Sequence, residues 1–205
     1  MVTVIQASQL TLRDVKSRFN LQFEKDATFF PEWQNLQILL NDYEKEMLDR
    51  AQADFIHLTD NPVQEALVKM VVVSPLLSVA GFYRKPFFTH AEKSTEIVLN
   101  DNDETIRGRI DVLVVNQKVW ITIVEAKGTQ INWKEGLPQT LAYMMSNQDV
   151  TKPTFGLLTN GTDSTFLKLD RNAGRYGLSK TFSVFSPGND LYEVTAVLKS
   201  ISGSD

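Results

Sequence analysis

The sequence contains no cysteine, which excludes disulfides and every metal site built on thiolates. Its two histidines, His57 and His90, are too few for a zinc site built mainly on imidazole. No apolar run approaches the ~20 residues that span a bilayer, and no basic segment followed by an apolar stretch marks a signal peptide at the N-terminus. These absences predict a cytoplasmic protein with no membrane partner.

The sequence also has no excess of positive charge, because it contains 21 lysines and arginines but 25 aspartates and glutamates, and the net charge is −4. Constitutive high-affinity binding to nucleic acid depends on many phosphate contacts, so the composition argues against it. A locally basic cleft around an acidic metal site is still compatible with this charge. With 205 residues, 42% of them hydrophobic, the chain can bury a sizeable core in a single domain.

The chain divides near the Asn61-Pro62 dipeptide. Before it, a long run of helix formers follows Pro31, and after it the segment VQEALVKMVVVSPLLSVAGF predicts a helix that ends near Gly81. Pro75 lies inside this second run and predicts a kink or two shorter helices. We therefore expect an N-terminal helical segment, residues 1–60, packed on a core domain, residues 61–205, within one domain overall.

After Pro86 the spacing of the apolar residues changes from the helical pattern to the pattern that is typical of β-strands. The segments TIRGRIDVLVV and KVWITIVEAK are rich in Val, Ile and Thr and predict a hairpin. QTLAYMMSN predicts a helix, and PTFGLLT and TFLKL predict two strands joined by the turn dipeptide Asn160-Gly161. A last helix is expected to bury Leu191, Val194 and Leu198. The alternation of strands and helices predicts an α/β fold with a central mixed β-sheet flanked by helices.

Three charged residues interrupt the two apolar strands of the hairpin, namely Asp111, Glu125 and Lys127. Charges at such positions are costly unless they pair or bind a metal. A three-residue connection would pair Asp111 with Ile123 and put all three charges on one face of the sheet. A two-residue turn would pair Asp111 with Thr122 and separate the acids, unless a bulge intervenes. A purely structural ion-pair cluster is the alternative interpretation.

Two carboxylates and a lysine are the groups that metal-dependent phosphodiester hydrolysis needs. The carboxylates hold Mg²⁺, a hard cation that prefers oxygen ligands, and leave coordination sites for water and a phosphate oxygen. The lysine can orient the attacking water and stabilise the negative charge that grows on the phosphate. This trio therefore points to hydrolysis of a phosphodiester.

The stretch from Glu65 to Tyr143 resembles the PD-(D/E)XK nuclease superfamily, and within it the N-terminal nuclease domain of type I restriction enzyme R subunits. The resemblance implies a restriction-endonuclease-like fold. It also implies that Asp111, Glu125 and the helix-borne Glu65 are the metal ligands, and that Lys127 is the catalytic lysine beside them. Glu65 by itself could equally be an ordinary acid at a helix start.

The same resemblance implies residues that contact nucleic acid. QTLAY matches the QxxxY motif of the family, so Gln139 and Tyr143 are expected one helical turn apart, in DNA engagement or positioning. Arg107 and Arg109 flank Asp111 and are candidate phosphate contacts, although scattered surface charge is the default interpretation of such residues.

The activity implied is Mg²⁺-dependent endonuclease cleavage of DNA, in which Mn²⁺ can replace Mg²⁺, and RNA is the open alternative substrate. No GxxxxGK[ST] phosphate loop occurs, so neither an ATP site nor a helicase motor is expected. Other restriction-system subunits are possible partners, and a homodimer would supply the two sites that double-strand cutting needs. The alternative function is a non-catalytic nucleic-acid- or protein-binding module that retains the nuclease fold.

Overall fold

The computed structural model describes residues 3–34, 36–99, 104–116, 120–125 and 136–203, with residues 98, 99, 120 and 122–125 described by their backbone alone. Within these ranges, one sheet contains the strands β1 (Thr3–Gln6), β2 (Gln22–Phe23), β3 (Phe88–Leu99), β4 (Glu104–Val115), β5 (Trp120–Glu125), β6 (Thr154–Thr159), β7 (Asp163–Asp170) and β8 (Arg175–Ser183).

The helices are α1 (Leu12–Arg18), α2 (Asp42–Leu58), α3 (Glu65–Val68), α4 (Ser74–Val79), α5 (Gly136–Met144) and α6 (Leu191–Ser202). A π-helical turn, Lys69–Val73, joins α3 to α4. Short 3₁₀ turns occur at Ala7–Gln9, Ala27–Phe29 and Pro31–Trp33. None of the helices described here combines the length and the apolar character that a membrane crossing requires.

The sheet is mixed, with the strand order β1-β4-β5-β6-β7-β8-β2 and with β3 paired to β4. The pairs β1–β4, β5–β6 and β2–β8 are parallel, and the other pairs are antiparallel. Helices cover both faces, which confirms the predicted α/β class with a mixed sheet flanked by helices.

Each face of the sheet has its own hydrophobic core. The core that we call the α2-side core packs α2, α3, α4 and α6 on the sheet and contains Phe55, Leu76 and Leu198. The α5-side core packs α1 and α5 on the opposite face and contains Val15 and Leu141. The apolar stripe predicted for the last helix is buried in the α2-side core, as expected for an amphipathic helix.

The N-terminal segment is less helical than the sequence pattern predicts. The long helix begins at Asp42 rather than just after Pro31, because Asn41 forms a capping box with Glu44. The segment also supplies β1 and β2, which the pattern did not predict. Both strands are short and largely exposed, so they carry no apolar alternation that could reveal them.

Pro75 is accommodated by a change in the hydrogen-bond pattern of the helix that it interrupts. Proline has no N–H to donate to the carbonyl four residues back, and just before it Ser74 N–H donates to Lys69 O, five residues back. The resulting π turn places Lys69 between α3 and α4. Helical π turns often occur at functional sites, and Lys69 does lie in the site described below.

The turn between β6 and β7 is as predicted, and Gly161 is required in it. Its φ is +85°, and a Cβ at this position would lie 2.2 Å from Phe55 Cζ. Asn160 Oδ1 accepts a hydrogen bond from Asp163 N at 2.7 Å, which closes the turn. The turn is thus held against α2 by close packing as well as by its backbone conformation.

We predict that Gly161→Ala lowers the free energy of unfolding by about 1–3 kcal/mol more than Gly188→Ala does. Both glycines have positive φ, but a Cβ at Gly188 would meet no atom within 4 Å. The second variant therefore measures backbone strain alone, and the first adds the collision with Phe55. Urea denaturation of both variants checks this, and equal losses of stability would contradict the packing described.

Candidate functional site

The site is built on β4, which pairs with three strands. Along one edge β4 pairs with β3 over its whole length. Along the other edge it pairs first with β1, through Glu104–Arg107, and then with β5, through Val112–Val115. Among the described residues, no strand pairs with residues 108–111 on this edge, and side chains from neighbouring helices reach this stretch.

The alternation of β4 shifts by one residue at Asp111. Ile106 and Ile110 pack in the α5-side core, and so does Leu113, whereas Val112 packs in the α2-side core. A regular strand would keep Ile110 and Val112 on one face. The β3–β4 ladder pairs Ile110 and Val112 with residues of β3 but contains no pair at Asp111 itself. On β3, the residue between those two partners is Glu92, and its φ is +53°. The irregularity has the effect of a bulge, which re-aims the side chain at that point.

The hairpin register differs from the predicted one. Val115 pairs with Trp120 and Val112 pairs with Ile123, so the expected opposition of Asp111 and Ile123 is wrong by one residue. In a regular ladder this register would put positions 111 and 125 on opposite faces. The shift of alternation at Asp111 removes that constraint.

Glu65 and Asp111 converge on the ammonium group of Lys69. Lys69 Nζ lies 2.8 Å from Glu65 Oε1 and 3.3 Å from Asp111 Oδ1. Glu65 is the first residue of α3 and Lys69 follows it by one helical turn. The side chains of Asp111 and Lys69 are only 20% and 26% exposed, and that of Glu65 is 49% exposed. Two of the predicted metal ligands are therefore brought to one sheltered point.

The charge of Lys69 is stabilised by its two acidic neighbours. Burial lowers its pKa, but the hydrogen bond that Lys69 donates to Glu65 and the charge of Asp111 outweigh burial and raise the pKa above the ordinary value. Lys69 is thus a permanent cation between two carboxylates. It was not among the predicted site residues, although its i,i+4 spacing from Glu65 on a helix was visible in the sequence.

The remaining two predicted residues lie at the end of β5. The backbone of Glu125 pairs with Thr159 of β6, two residues beyond the pair of Ile123 with Val112. Its side chain and the whole of Lys127 lie outside the described residues. Within the described part of the chain, no three His, Cys, Asp or Glu side chains form a group that could hold a metal.

Gln139 and Tyr143 form a brace behind the open stretch of β4. Gln139 Nε2 donates to Tyr143 Oη at 2.8 Å, and the backbone N–H of Arg109 donates to the same oxygen at 3.2 Å. Tyr143 is buried, and burial, reinforced by the charge of Asp111, raises its pKa. The phenol therefore stays neutral and holds the backbone of β4 two residues before Asp111.

Arg107 and Arg109 are exposed and paired with acids of β3. Arg107 Nη2 lies 3.2 Å from Glu96 Oε1, and Arg109 Nη1 lies 3.3 Å from Glu92 Oε2. The side chains of the two arginines are 54% and 64% exposed. Exposed pairs of this kind are worth little, so a phosphate could compete for either arginine.

The carboxylate oxygens of Glu65 and Asp111 are the kind of ligands that a hard divalent cation prefers. Carboxylate oxygens from two different elements converge, and Mg²⁺ prefers oxygen ligands held in a compact shell. The point of convergence is occupied by the ammonium group of Lys69. Glu65 and Asp111 could hold a metal ion there once Lys69 moved aside, with the end of β5 as the nearest predicted source of a third ligand.

No protein-family model matches the chain, and no curated protein matches its sequence significantly. The resemblance to the PD-(D/E)XK superfamily therefore stays a prediction, and the functional case depends on the geometry of this site.

We predict that Gly108→Ala destabilises the fold by about 1–3 kcal/mol, because the new methyl group would overlap the ring that braces β4. A Cβ at Gly108 would lie 2.5 Å from Tyr143 Cε1. In a Tyr143→Leu background the same change should cost much less, since the ring is gone. A double-mutant cycle by urea denaturation measures the difference, and additive losses would contradict the contact.

We predict that Lys69→Gln tightens the binding of Mn²⁺ by roughly two- to tenfold, because the metal no longer competes with an ammonium for the same oxygens. Isothermal titration calorimetry measures the affinity. Lys199→Gln is the matched control, since Lys199 Nζ lies 2.9 Å from Glu44 Oε1 and is 23% exposed, similar to Lys69. Weaker binding in Lys69→Gln would mean that the lysine assembles the acids rather than competing for them.

Proposed function

We propose that the protein is a Mg²⁺-dependent endonuclease of the restriction type that hydrolyses DNA phosphodiesters without a motor of its own. One observation carries this proposal. Glu65 from a helix and Asp111 from the irregular point of β4 converge on a single cationic group, beside the end of the strand that leads into Glu125 and Lys127. Two converging carboxylates near the predicted positions of a third acid and a lysine support a metal-dependent phosphodiesterase, since such an enzyme holds its cation with carboxylate oxygens.

Each residue has a distinct part in the proposed reaction. Asp111, Glu125 and Glu65 would hold Mg²⁺, or Mn²⁺ in its place, and the ion would supply Lewis-acid activation of water and neutralisation of phosphate charge. Lys127 would orient the attacking water and stabilise the negative charge that grows on the phosphate oxygens. In this proposal Lys69 neutralises Glu65 and Asp111 in the metal-free protein.

The proposed DNA contacts surround the acids. Arg107 and Arg109 would exchange their exposed acid partners for phosphate oxygens, because exposed pairs of this kind are easily broken. Gln139 and Tyr143 would act mainly by positioning β4, since Tyr143 is buried. RNA is the alternative substrate. Further subunits of a restriction system, or a second copy of this chain, would supply specificity and the second cut.

A non-catalytic binding module is the second candidate, and the pairing of Lys69 favours it. The ammonium lies within bonding distance of both Glu65 and Asp111, so the two acids are partly neutralised without any metal. The net charge of −4 also fits a protein that binds nucleic acid weakly or binds another protein. The two candidates differ in whether a metal ion displaces Lys69.

We predict that the purified protein nicks supercoiled plasmid in Mg²⁺ or Mn²⁺, and that Lys127→Ala and Asp111→Asn each lower the rate by about 100-fold or more, as loss of a group that stabilises the transition state does. Calorimetry should also show that Asp111→Asn loses the binding of Mn²⁺. The matched controls are Lys152→Ala and Asp170→Asn. Both change charges elsewhere on the fold and should leave nicking intact.

Intact plasmid across both metals, together with measurable binding to DNA, would support the non-catalytic module and overturn the nuclease proposal. Nicking that survives in Lys127→Ala would instead remove that lysine from the reaction.

A further inference from the structure

A cavity of about 360 Å³ lies between α2, the connection to α3 and the loops after β6 and β8. Its walls include Phe55 of α2, Pro62 and Val63 from the connection that leads to α3, Asn160 from the turn after β6, and Phe185 from the loop after β8. Its size is within the range of pockets that hold small organic groups. Nothing in the proposed reaction uses this cavity.

One residue of the cavity wall carries a buried hydrogen-bond donor without a partner among the described residues. Asn160 is 6% exposed, and among the described residues its Nδ2 has no hydrogen-bond acceptor. Its Oδ1 accepts a hydrogen bond from Asp163 N at 2.7 Å. A flip of the side-chain amide would lose this bond, so the orientation of Nδ2 is fixed. A buried donor left in this way is costly, and a ligand with an acceptor oxygen would relieve that cost.

The other walls combine the polar residues Thr59, Asn61 and Thr162 with apolar residues that include two aromatic rings. Phe55 is buried, whereas Phe185 is 57% exposed at the rim of the cavity. The loop that carries Phe185 is tied to α2, because Gln52 Nε2 donates to Val184 O at 2.7 Å and to Gly188 O at 2.9 Å. An exposed aromatic ring on an anchored loop is a suitable surface for stacking a flat, apolar group.

Two residues of the cavity wall belong to chain segments that lead to the proposed metal ligands. Val63 precedes Glu65 by two residues. Asn160 follows Thr159, whose backbone pairs with that of Glu125. A ligand in the cavity would therefore lie next to the chain segments that carry two of the proposed metal ligands.

We propose that this cavity receives one unpaired nucleobase of the substrate strand, which stacks against Phe185 and accepts a hydrogen bond from Asn160 Nδ2 through a ring carbonyl. The combination of an aromatic wall and a directed amide donor is the chemistry by which proteins hold extruded or single-stranded bases. The inference rests on the proposed nuclease function, since that function places a polynucleotide at the neighbouring site. A base held here would anchor the strand while its phosphate lies at Asp111.

The test is a metal-free binding assay on the full chain by fluorescence polarisation in EDTA, so that no cleavage occurs. The probes are a labelled single-stranded octamer of thymidine and a labelled octamer of abasic sites with the same number of phosphates. Wild-type protein should bind the thymidine octamer at least about fivefold more tightly. Phe185→Ala should abolish most of this preference, and because Phe185 is largely exposed the variant should keep its thermal stability.

Tyr43→Ala is the matched control. Tyr43 is 70% exposed and lies near the opposite end of α2, 12 residues before Phe55, or about 18 Å away along the helix axis. The Tyr43→Ala variant should keep the full preference for the thymidine octamer over the abasic octamer.

A third probe, an octamer of difluorotoluene nucleotides, has the shape of thymine but poor hydrogen-bond acceptors. It should bind wild-type protein about threefold to tenfold more weakly than thymidine does.

Equal affinity of wild-type protein for thymidine and abasic octamers would overturn the proposal, as would an unchanged preference in Phe185→Ala or an equal loss in Tyr43→Ala. Equal binding of difluorotoluene and thymidine octamers would overturn the role of Asn160. Asp111→Asn separates this inference from the proposed function, because it should lose nicking and keep base-dependent binding. If wild-type protein fails to nick DNA but still prefers bases, the nuclease proposal fails and the base pocket stands.

Discussion

A strand has only two edges, and β4 must use them to pair with β1, β3 and β5. The two ladders on one edge cannot overlap, and in the part of the chain that the structure describes, side chains contact the short stretch of β4 between them. Tyr143 does so from one side, through its contact with Gly108 and its hydrogen bond from Arg109 N–H. Asp111 lies at the end of the same stretch, where the alternation of the strand shifts, and the rest of the site depends on that shift.

The electrostatics of the site follow from this position. An acid at an irregular point of a central strand is only 20% exposed, and a sheltered carboxylate is costly unless a cation is near. Lys69 provides the cation because the π turn before Pro75 places it between α3 and α4. The helix therefore brings both a second acid, Glu65, and the charge that balances the two. The charges of these two acids are thereby balanced by a side chain of the same helix that carries Glu65.

The sequence pattern succeeded where the physical signal is local. The strands β4, β5, β6 and β7 were predictable because Val, Ile and Thr recur in runs bounded by turn residues, and the Asn160-Gly161 turn follows from the need for a positive φ. It failed for β1 and β2, which are short, exposed and paired with strands that are distant in sequence, and for β8, whose partly exposed residues show no regular alternation. The predicted register of the hairpin was wrong by one residue, because the length of the connection was taken from the sequence alone. Lys69 was missed because its partner Asp111 is 42 residues away.

What the sequence by itself determined is the α/β class, the helix from Glu65 with an interruption before Pro75, and the placement of Asp111, Gln139 and Tyr143 on elements that could meet. These follow from periodicity and turn chemistry, which act over a few residues. What only the tertiary structure decided is the shift of alternation at Asp111, the convergence of Glu65 and Asp111 on Lys69, and the cavity around Asn160. Those features depend on which strands share an edge and on how two helical layers close on the sheet, and such long-range packing leaves no periodic trace in the chain.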